Sequence, residues 1–213
     1  MTEVLLIRHG ETAWNAERRL QGHIDIELND NGMRQAELLA RTLRGEPLDA
    51  IFASDLMRAR QTAAPLAAAM GLPVGVRRDL RERCYGAFEG LCYADIGTHY
   101  PEAYAAMQAR QLDFRYPAGT NVAETLNEFS ARSVGAVMQL LRSASYRKLA
   151  IVTHGGVLDC LNRAARGVDM SRPRDFDIPN AGINRLQWDG DKLRILQWAD
   201  VDHLNSDALD EIQ

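Results

Sequence analysis

Cysteine and lysine are both scarce. Cys84, Cys92 and Cys160 are the only cysteines among 213 residues. An odd number with no C-x-x-C pair argues against a disulfide framework and fits reduced thiols in a cytoplasm. Lysine stands only at Lys148 and Lys192. The formal net charge is −4, so no basic footprint for nucleic acid is expected. Long apolar runs are missing too. None approaches the roughly 18 residues of a membrane span, and Val4–Ile7 is too short for a secretory signal. The phosphate-loop pattern G-x-x-x-x-G-K-[ST] is absent, and so is the serine-hydrolase pattern G-x-S-x-G. His9, His23, His99, His154 and His203 are scattered, with no H-x-x-x-H pair, so no metal site is expected.

What is present is ordinary for a globular chain: 46% hydrophobic and 25% charged residues, enough length to bury a real core. Apolar runs and helical periodicities alternate. Glu3–Ile7 reads as a buried strand. Met33, Ala36, Leu39, Ala40 and Leu43 recur at helical spacing, and Gly45 with Pro47 ends that helix. Ala50–Ala53 is a second strand. Ser54 or Asp55 is positioned to cap a helix from Leu56 to Met70, with a kink or break at Pro65. Pro73–Arg77 is a weaker strand. A helix over Ala123–Leu141 turns Leu126, Phe129, Val134, Val137, Met138 and Leu141 inward. Leu149–Thr153 is a strand and Gly156–Ala165 a helix. Asn184–Trp188 and Leu193–Trp198 flank Asp189-Gly190, a hairpin signal. The expected fold is α/β, a three-layer α/β/α arrangement whose mostly parallel central sheet has an antiparallel edge. One domain over residues 1–213 is expected. The acidic tail after Leu204 is expected to fray.

Two strands end in histidine. "VLLIRHGET" (Val4–Thr12) and "LAIVTHGGV" (Leu149–Val157) both run from aliphatic residues into His-Gly. Ligands of open parallel sheets bind beyond the carboxyl ends of the strands. His9 and His154 face one crevice if their strands are neighbours. A phosphoryl group suits such a place, because arginine forks match its oxygens and never lose their charge. Arg8 is one candidate clamp, and Arg58 in "SDLMRARQT" another. A neutral histidine attacks phosphorus, and a carboxylic acid such as Glu82 protonates the departing oxygen and then deprotonates water. Each piece alone has a blander reading. A histidine ending a strand can cap or pack, and Arg58, Arg60 or Glu82 can be surface charge. Arg18-Arg19, Arg77-Arg78 and Arg81-Glu82-Arg83 read as solvated clusters.

Five blocks in order carry a family resemblance: "LIRHGET-WN", "RLQGHIDIELNDNG" (Arg19–Gly32), "IFASDLMRARQTA" (Ile51–Ala63), "LRERCYGAFEG" (Leu80–Gly90) and "IVTHGG" (Ile151–Gly156). They resemble the signature of the histidine phosphatase superfamily, the phosphoglycerate mutase-like enzymes. The resemblance implies that His9 becomes a phosphohistidine within a cationic pocket of Arg8, Arg58 and His154. It implies Glu82 as proton donor and then base. Asn15 and the Gly155 backbone would help hold phosphate, and Gln21-Gly22 would line the entrance. No metal is implied, since the cations replace it.

The family holds mutases and phosphatases. Cofactor-dependent mutases resemble this chain at "ERCYG" but have His where Cys84 stands. They carry a Lys soon after the following Gly, and a paired Arg further on. Here Gly90 leads into Leu91-Cys92-Tyr93, and Arg110 and Arg115 are separated. A phosphomonoester hydrolase on small phosphorylated metabolites is therefore expected, similar to the family's broad-specificity phosphatases. The alternatives are a mutase requiring 2,3-bisphosphoglycerate and an inactive phosphate-binding module. Residues 91–120 are expected as a lid, with Tyr85, Tyr93, Phe114 and Tyr116 as an apolar wall. Gly10 is expected to let the backbone approach the anion. The expected partner is a small phosphate ester, without membrane or nucleic acid, for a cytoplasmic monomer or homodimer.

Overall fold

A computed structural model describes residues 1–143 and 146–205. The tail expected to fray lies outside the described residues from residue 206 on. The strands are β1 (Thr2–Arg8), β2 (Ala50–Ser54), β3 (Val74–Arg77), β4 (Lys148–Thr153), β5 (Ile183–Trp188) and β6 (Leu193–Asp200). The helices are α1 (Ala13–Ala16), α2 (Asp30–Leu43), α3 (Met57–Met70), α4 (Tyr93–His99), α5 (Pro101–Gln108), α6 (Leu126–Ser143) and α7 (Gly155–Arg166).

The sheet order is β3-β2-β4-β1-β5-β6. β1, β2, β3 and β4 pair in parallel, while β5 is antiparallel to both β1 and β6. The closing hairpin therefore forms the expected antiparallel edge. Alternation along β1 divides the core. Val4 and Leu6 pack with residues of α6 and α7, while Leu5 and Ile7 pack with residues of α2 and α3. Successive side chains of a strand point to opposite faces, and this strand is apolar on both, as a central strand between two helical layers must be. A third, smaller cluster of Leu20, Phe88, Ile96, Ala103, Tyr116 and Ala123 holds α4 and α5 beside the sheet. Among the described residues, no helix is long and apolar enough to cross a membrane.

Several local expectations change. The first N–H of α3 is capped by Asp25 Oδ1, 2.6 Å from Met57 N, from a distant loop. Ser54 Oγ reaches only Leu56 N, at 3.3 Å, and Asp55 is instead held by both nitrogens of the Arg81 fork. α3 runs unbroken through Pro65, because Ala59, Thr62, Ala63, Leu66 and Ala67 stay buried on either side of it. α6 starts at Leu126 because Thr125 and Glu128 form a reciprocal cap: Glu128 N donates to Thr125 Oγ1 and Thr125 N to Glu128 Oε2. Its buried stripe includes Ser133, Ala136 and Leu140, and Val134 and Met138 are only half-buried. Met33 of α2 is exposed.

Candidate active site

The site lies beyond the carboxyl ends of β1, β2 and β4. The β1–β4 ladder continues past the strands, with His9 N donating to Thr153 O at 2.9 Å. His9 and His154 consequently leave neighbouring strands together, their ring centroids 5.1 Å apart and tilted by 60°.

His9 is buried. Its Nδ1 lies 2.7 Å from Gly10 O. A carbonyl only accepts, so Nδ1 carries the hydrogen and Nε2 of the neutral ring keeps its lone pair. Burial, then the charges of Arg58 and Arg8, holds the pKa of His9 well below the ordinary 6.5. The ring is neutral near pH 7. His154 is fully buried, and burial followed by Arg58 lowers its pKa in the same way.

The two arginines are held by the main chain. Arg8 Nη1 donates to Ile178 O at 2.6 Å. Arg58, on the first turn of α3, is fully buried and donates to Gly22 O at 2.8 Å and Ile24 O at 3.0 Å. Burial lowers its pKa to about 10, so it stays charged at neutral pH. Gly22 adopts a left-handed φ of +54°, and a Cβ there would fall 2.1 Å from Glu89 Oε1. Only glycine can offer its carbonyl to Arg58 from this turn. Arg60, two residues on, is exposed.

Glu82 enters from the loop after β3. Its Oε1 accepts from Arg83 N at 2.7 Å and its Oε2 from Gly156 N at 2.9 Å, at the start of α7. These residues border a cavity of about 670 Å³. Arg8, His9, Arg58, Glu82, Asn15, Gln21, Gly22, Tyr85, Tyr93 and Gly155 line it, while His154 is buried against the His9 ring. Among the described residues, buried Arg8 Nε, Arg58 Nε, Gln21 Oε1 and both ring nitrogens of His154 have no hydrogen-bond partner. Buried polar atoms are nearly always paired; Ser133 Oγ and Arg163 Nη2 are orphaned elsewhere, but Arg8, Arg58 and Gln21 gather at this one cavity. Among the described residues, no group of three or more His, Cys, Asp and Glu is arranged to hold a metal ion.

Gly10 has a steric reason of its own to be glycine, since a Cβ on it would meet Gly32 O of α2 at 2.7 Å. Two readings are corrected. Phe114 packs in the cluster under α4 and α5 rather than lining the cavity. Arg83 is not solvated surface but buried, with Nε on Glu124 O, Nη1 on Tyr116 OH and its guanidinium 4.4 Å from the Tyr116 ring centroid. Arg19, Arg77 and Arg81, by contrast, do pair with nearby carboxylates. Trp14, Gly156 and Arg174 line the cavity and went unmarked in the sequence. The second glycine of His-Gly-Gly was a usable signal for Gly156, since a Cβ there would strike Glu82 Oε1 at 2.1 Å. Nothing local pointed to Arg174.

The chain is similar to known proteins over nearly its full length. It is 40% identical over 205 residues to "Phosphoglycerate mutase-like protein 4" of Arabidopsis thaliana, covering 95% of this chain and 86% of the relative. It is 35% identical to a "Metal-independent phosphoserine phosphatase" of the same plant, covering 97% and 84%. A mycobacterial glucosyl-3-phosphoglycerate phosphatase, solved with VO3, superimposes with a TM-score of 0.81 at 30% identity, covering 94% of this chain and 100% of that one. Residues 4–201 match the family described as the histidine phosphatase superfamily (branch 1), and the chain belongs to that family.

Proposed function

We propose that the chain is a metal-independent phosphomonoester hydrolase acting on small phosphorylated metabolites through a phosphohistidine at His9. One observation carries this reading: the lone pair of neutral His9 Nε2 shares a cavity with two fixed guanidinium groups, Glu82 and unpartnered buried nitrogens. Arg8, Arg58 and His154 gather around the phosphoryl oxygens, with Asn15 and the Gly155 backbone beside them. Gln21 and Gly22 border the entrance. His9 Nε2 forms a bond to phosphorus as the ester P–O bond breaks. Glu82 gives its proton to the departing alcohol oxygen. Water then attacks the phosphohistidine, Glu82 takes its proton, the P–N bond breaks, and His9 leaves as the neutral base with inorganic phosphate released. Fixed cations aimed at the equatorial oxygens supply the main stabilisation.

The relatives named as phosphatases support hydrolysis. So does the state of two arginines in the middle of the chain. Arg110 is committed to Asp159 and Met170 O, and Arg115 to Glu128 and Ala123 O. Arg110 reaches the cavity wall and Arg115 does not, so the two do not form the pair expected of a mutase. Residues 91–120 place Tyr93, Met107 and Gln108 on the cavity wall, which suits a cover over the leaving group within one catalytic domain. Reduced thiols fit a cytoplasmic enzyme.

Phosphorus NMR with 3-phosphoglycerate and a trace of 2,3-bisphosphoglycerate, in chelator, tests the reading. Free phosphate is the expected product. Formation of 2-phosphoglycerate would make the protein a mutase. A His9→Ala variant that keeps its fold and still hydrolyses phosphate esters would remove the nucleophile assignment.

A further inference from the structure

Glu82 sits on a loop, and loops are poor supports for a proton donor unless something outside them fixes the backbone. The strand before it ends at Arg77, and a single 3₁₀ turn, Arg78–Leu80, leads into extended chain. Sheet hydrogen bonds do not reach Glu82. Thr153 Oγ1 of β4 takes Leu80 O at 2.8 Å, and three further carbonyls of the loop are taken by one side chain from α6, on the far side of the core from α3.

Arg132 Nη1 donates to Asp79 O at 2.9 Å and to Arg81 O at 3.0 Å, and Nη2 donates to Glu82 O at 3.1 Å. The other edge of the same guanidinium is taken by Glu124, with Nε on Oε1 and Nη2 on Oε2, both at 2.7 Å. Glu124 closes the ring: its Oε2 accepts from Cys84 N at 2.9 Å, and its own N–H donates to Cys84 O at 2.9 Å. A second support comes from His23, whose Nε2 donates to Glu82 O at 2.9 Å. The planar fork is thus fixed on two sides, and it grips three carbonyls within a four-residue stretch. α6 is itself seated by Phe129, Ser133 and Val137, all buried.

We propose that the Arg132–Glu124 pair is a positioning clamp for the proton donor. Arg132 does not itself line the cavity; it sets where the Glu82 backbone lies, and from there where the carboxyl group meets the departing oxygen. The inference rests on Glu82 acting as donor. The charge state of the pair is secure. Burial works against ionised Glu124, but the Arg132 fork and the Cys84 N–H outweigh it, and its pKa lies below the ordinary value. No other residue type supplies donors on two edges of one plane, which is why a lysine would not serve. Displacing a catalytic group by about 1 Å costs on the order of 10²-fold in rate, so a loosened clamp should be visible in kinetics before it is visible in the fold.

Leaving-group chemistry separates this role from a merely structural one. p-Nitrophenolate departs with little help from an acid, whereas the alkoxide of glycerol 3-phosphate needs the proton. The quantity to compare is kcat/KM, which reports the steps up to loss of the alcohol. Hydrolysis of the phosphohistidine is common to both esters and drops out. Arg132→Gln is expected to lower kcat/KM for glycerol 3-phosphate about tenfold more than for p-nitrophenyl phosphate. Glu124→Gln, which keeps the shape and one acceptor, should show the same selectivity to a smaller degree, and it stands in if Arg132→Gln fails to fold. Glu82→Gln is the reference. If Glu82→Gln penalises the alkyl ester selectively while both clamp variants lower the two esters equally, or lower neither, the clamp is overturned and the donor stands. If Glu82→Gln treats the two esters alike, the donor assignment falls and the clamp falls with it.

Discussion

The imidazoles of His9 and His154 face each other across 5.1 Å because β1 and β4 are adjacent strands in one register, Arg8 beside Thr153. Two basic rings placed that close, with Arg58 and Arg8 alongside, cannot both carry a proton cheaply. Burial is the largest cause and the neighbouring cations add to it, so both pKa values lie well below 6.5. His9 is therefore already neutral at pH 6.5, and kcat/KM for an aryl phosphate should show no loss attributable to it as pH falls through that value. The sign for stability follows from linkage. Below pH 6.5 the unfolded chain binds protons on these two residues and the folded chain does not. Stability is present in full above that pH and declines as pH falls below it. Thermal unfolding across this range should show the decline, and it should shrink in a His154→Asn variant.

Arg58 carries two burdens at once. It is fully buried, and it is the donor for Gly22 O and Ile24 O. Arg58→Met should lower kcat/KM by roughly 10²–10³, as for loss of one donor that stabilises transition-state charge. It should also cost about 1–3 kcal/mol of stability, because two carbonyls lose their partner. Denaturant unfolding beside steady-state kinetics reads both. An activity loss without a stability loss would mean that the two carbonyls find water.

Gly10 and Gly32 meet backbone to backbone, so their constraint is one of space. A Cβ on Gly10 would lie 2.7 Å from Gly32 O, and one on Gly32 would lie 2.0 Å from Glu11 O. Neither obstacle is a flexible side-chain end. Gly10→Ala should push α2 away from the strand end and cost about 1–3 kcal/mol. The melting temperature of the variant measures this, and a value equal to the parent's would show that α2 can shift without cost.

Tyr93 lines the cavity from the first turn of α4. Burial, then the nearby Glu82 charge, raises the pKa of its phenol, so it stays neutral and offers a ring rather than a charge. Tyr93→Ala should reduce the preference for an aromatic over a small aliphatic ester by about twofold to tenfold, the worth of one ring contact. Ratios of kcat/KM for phenyl and glycerol phosphates decide it, and an unchanged ratio would remove Tyr93 from the leaving-group wall.

The sequence by itself determined the alternation of elements, the parallel core with its antiparallel edge, and the two strands that end in histidine. These follow from periodicity and composition, which depend on residues two to four apart. It also marked Arg8, Arg58, Glu82, Asn15, Gln21, Gly22, Tyr85, Tyr93 and Gly155, because each stands in or beside a block that resembles the family. Only the tertiary structure decided that β4 lies next to β1, and hence that His9 and His154 meet. It alone turned Arg83 inward while Arg81 went to Asp55, and drew Arg174 to the cavity. Asp25 capping α3 and Arg132 gripping the Glu82 loop belong to the same class. Each joins residues far apart in the chain, from 26 positions for Arg81 and Asp55 to well over a hundred for the strands that bring His9 to His154, and such pairings are set by how layers stack against one core, which no local pattern encodes.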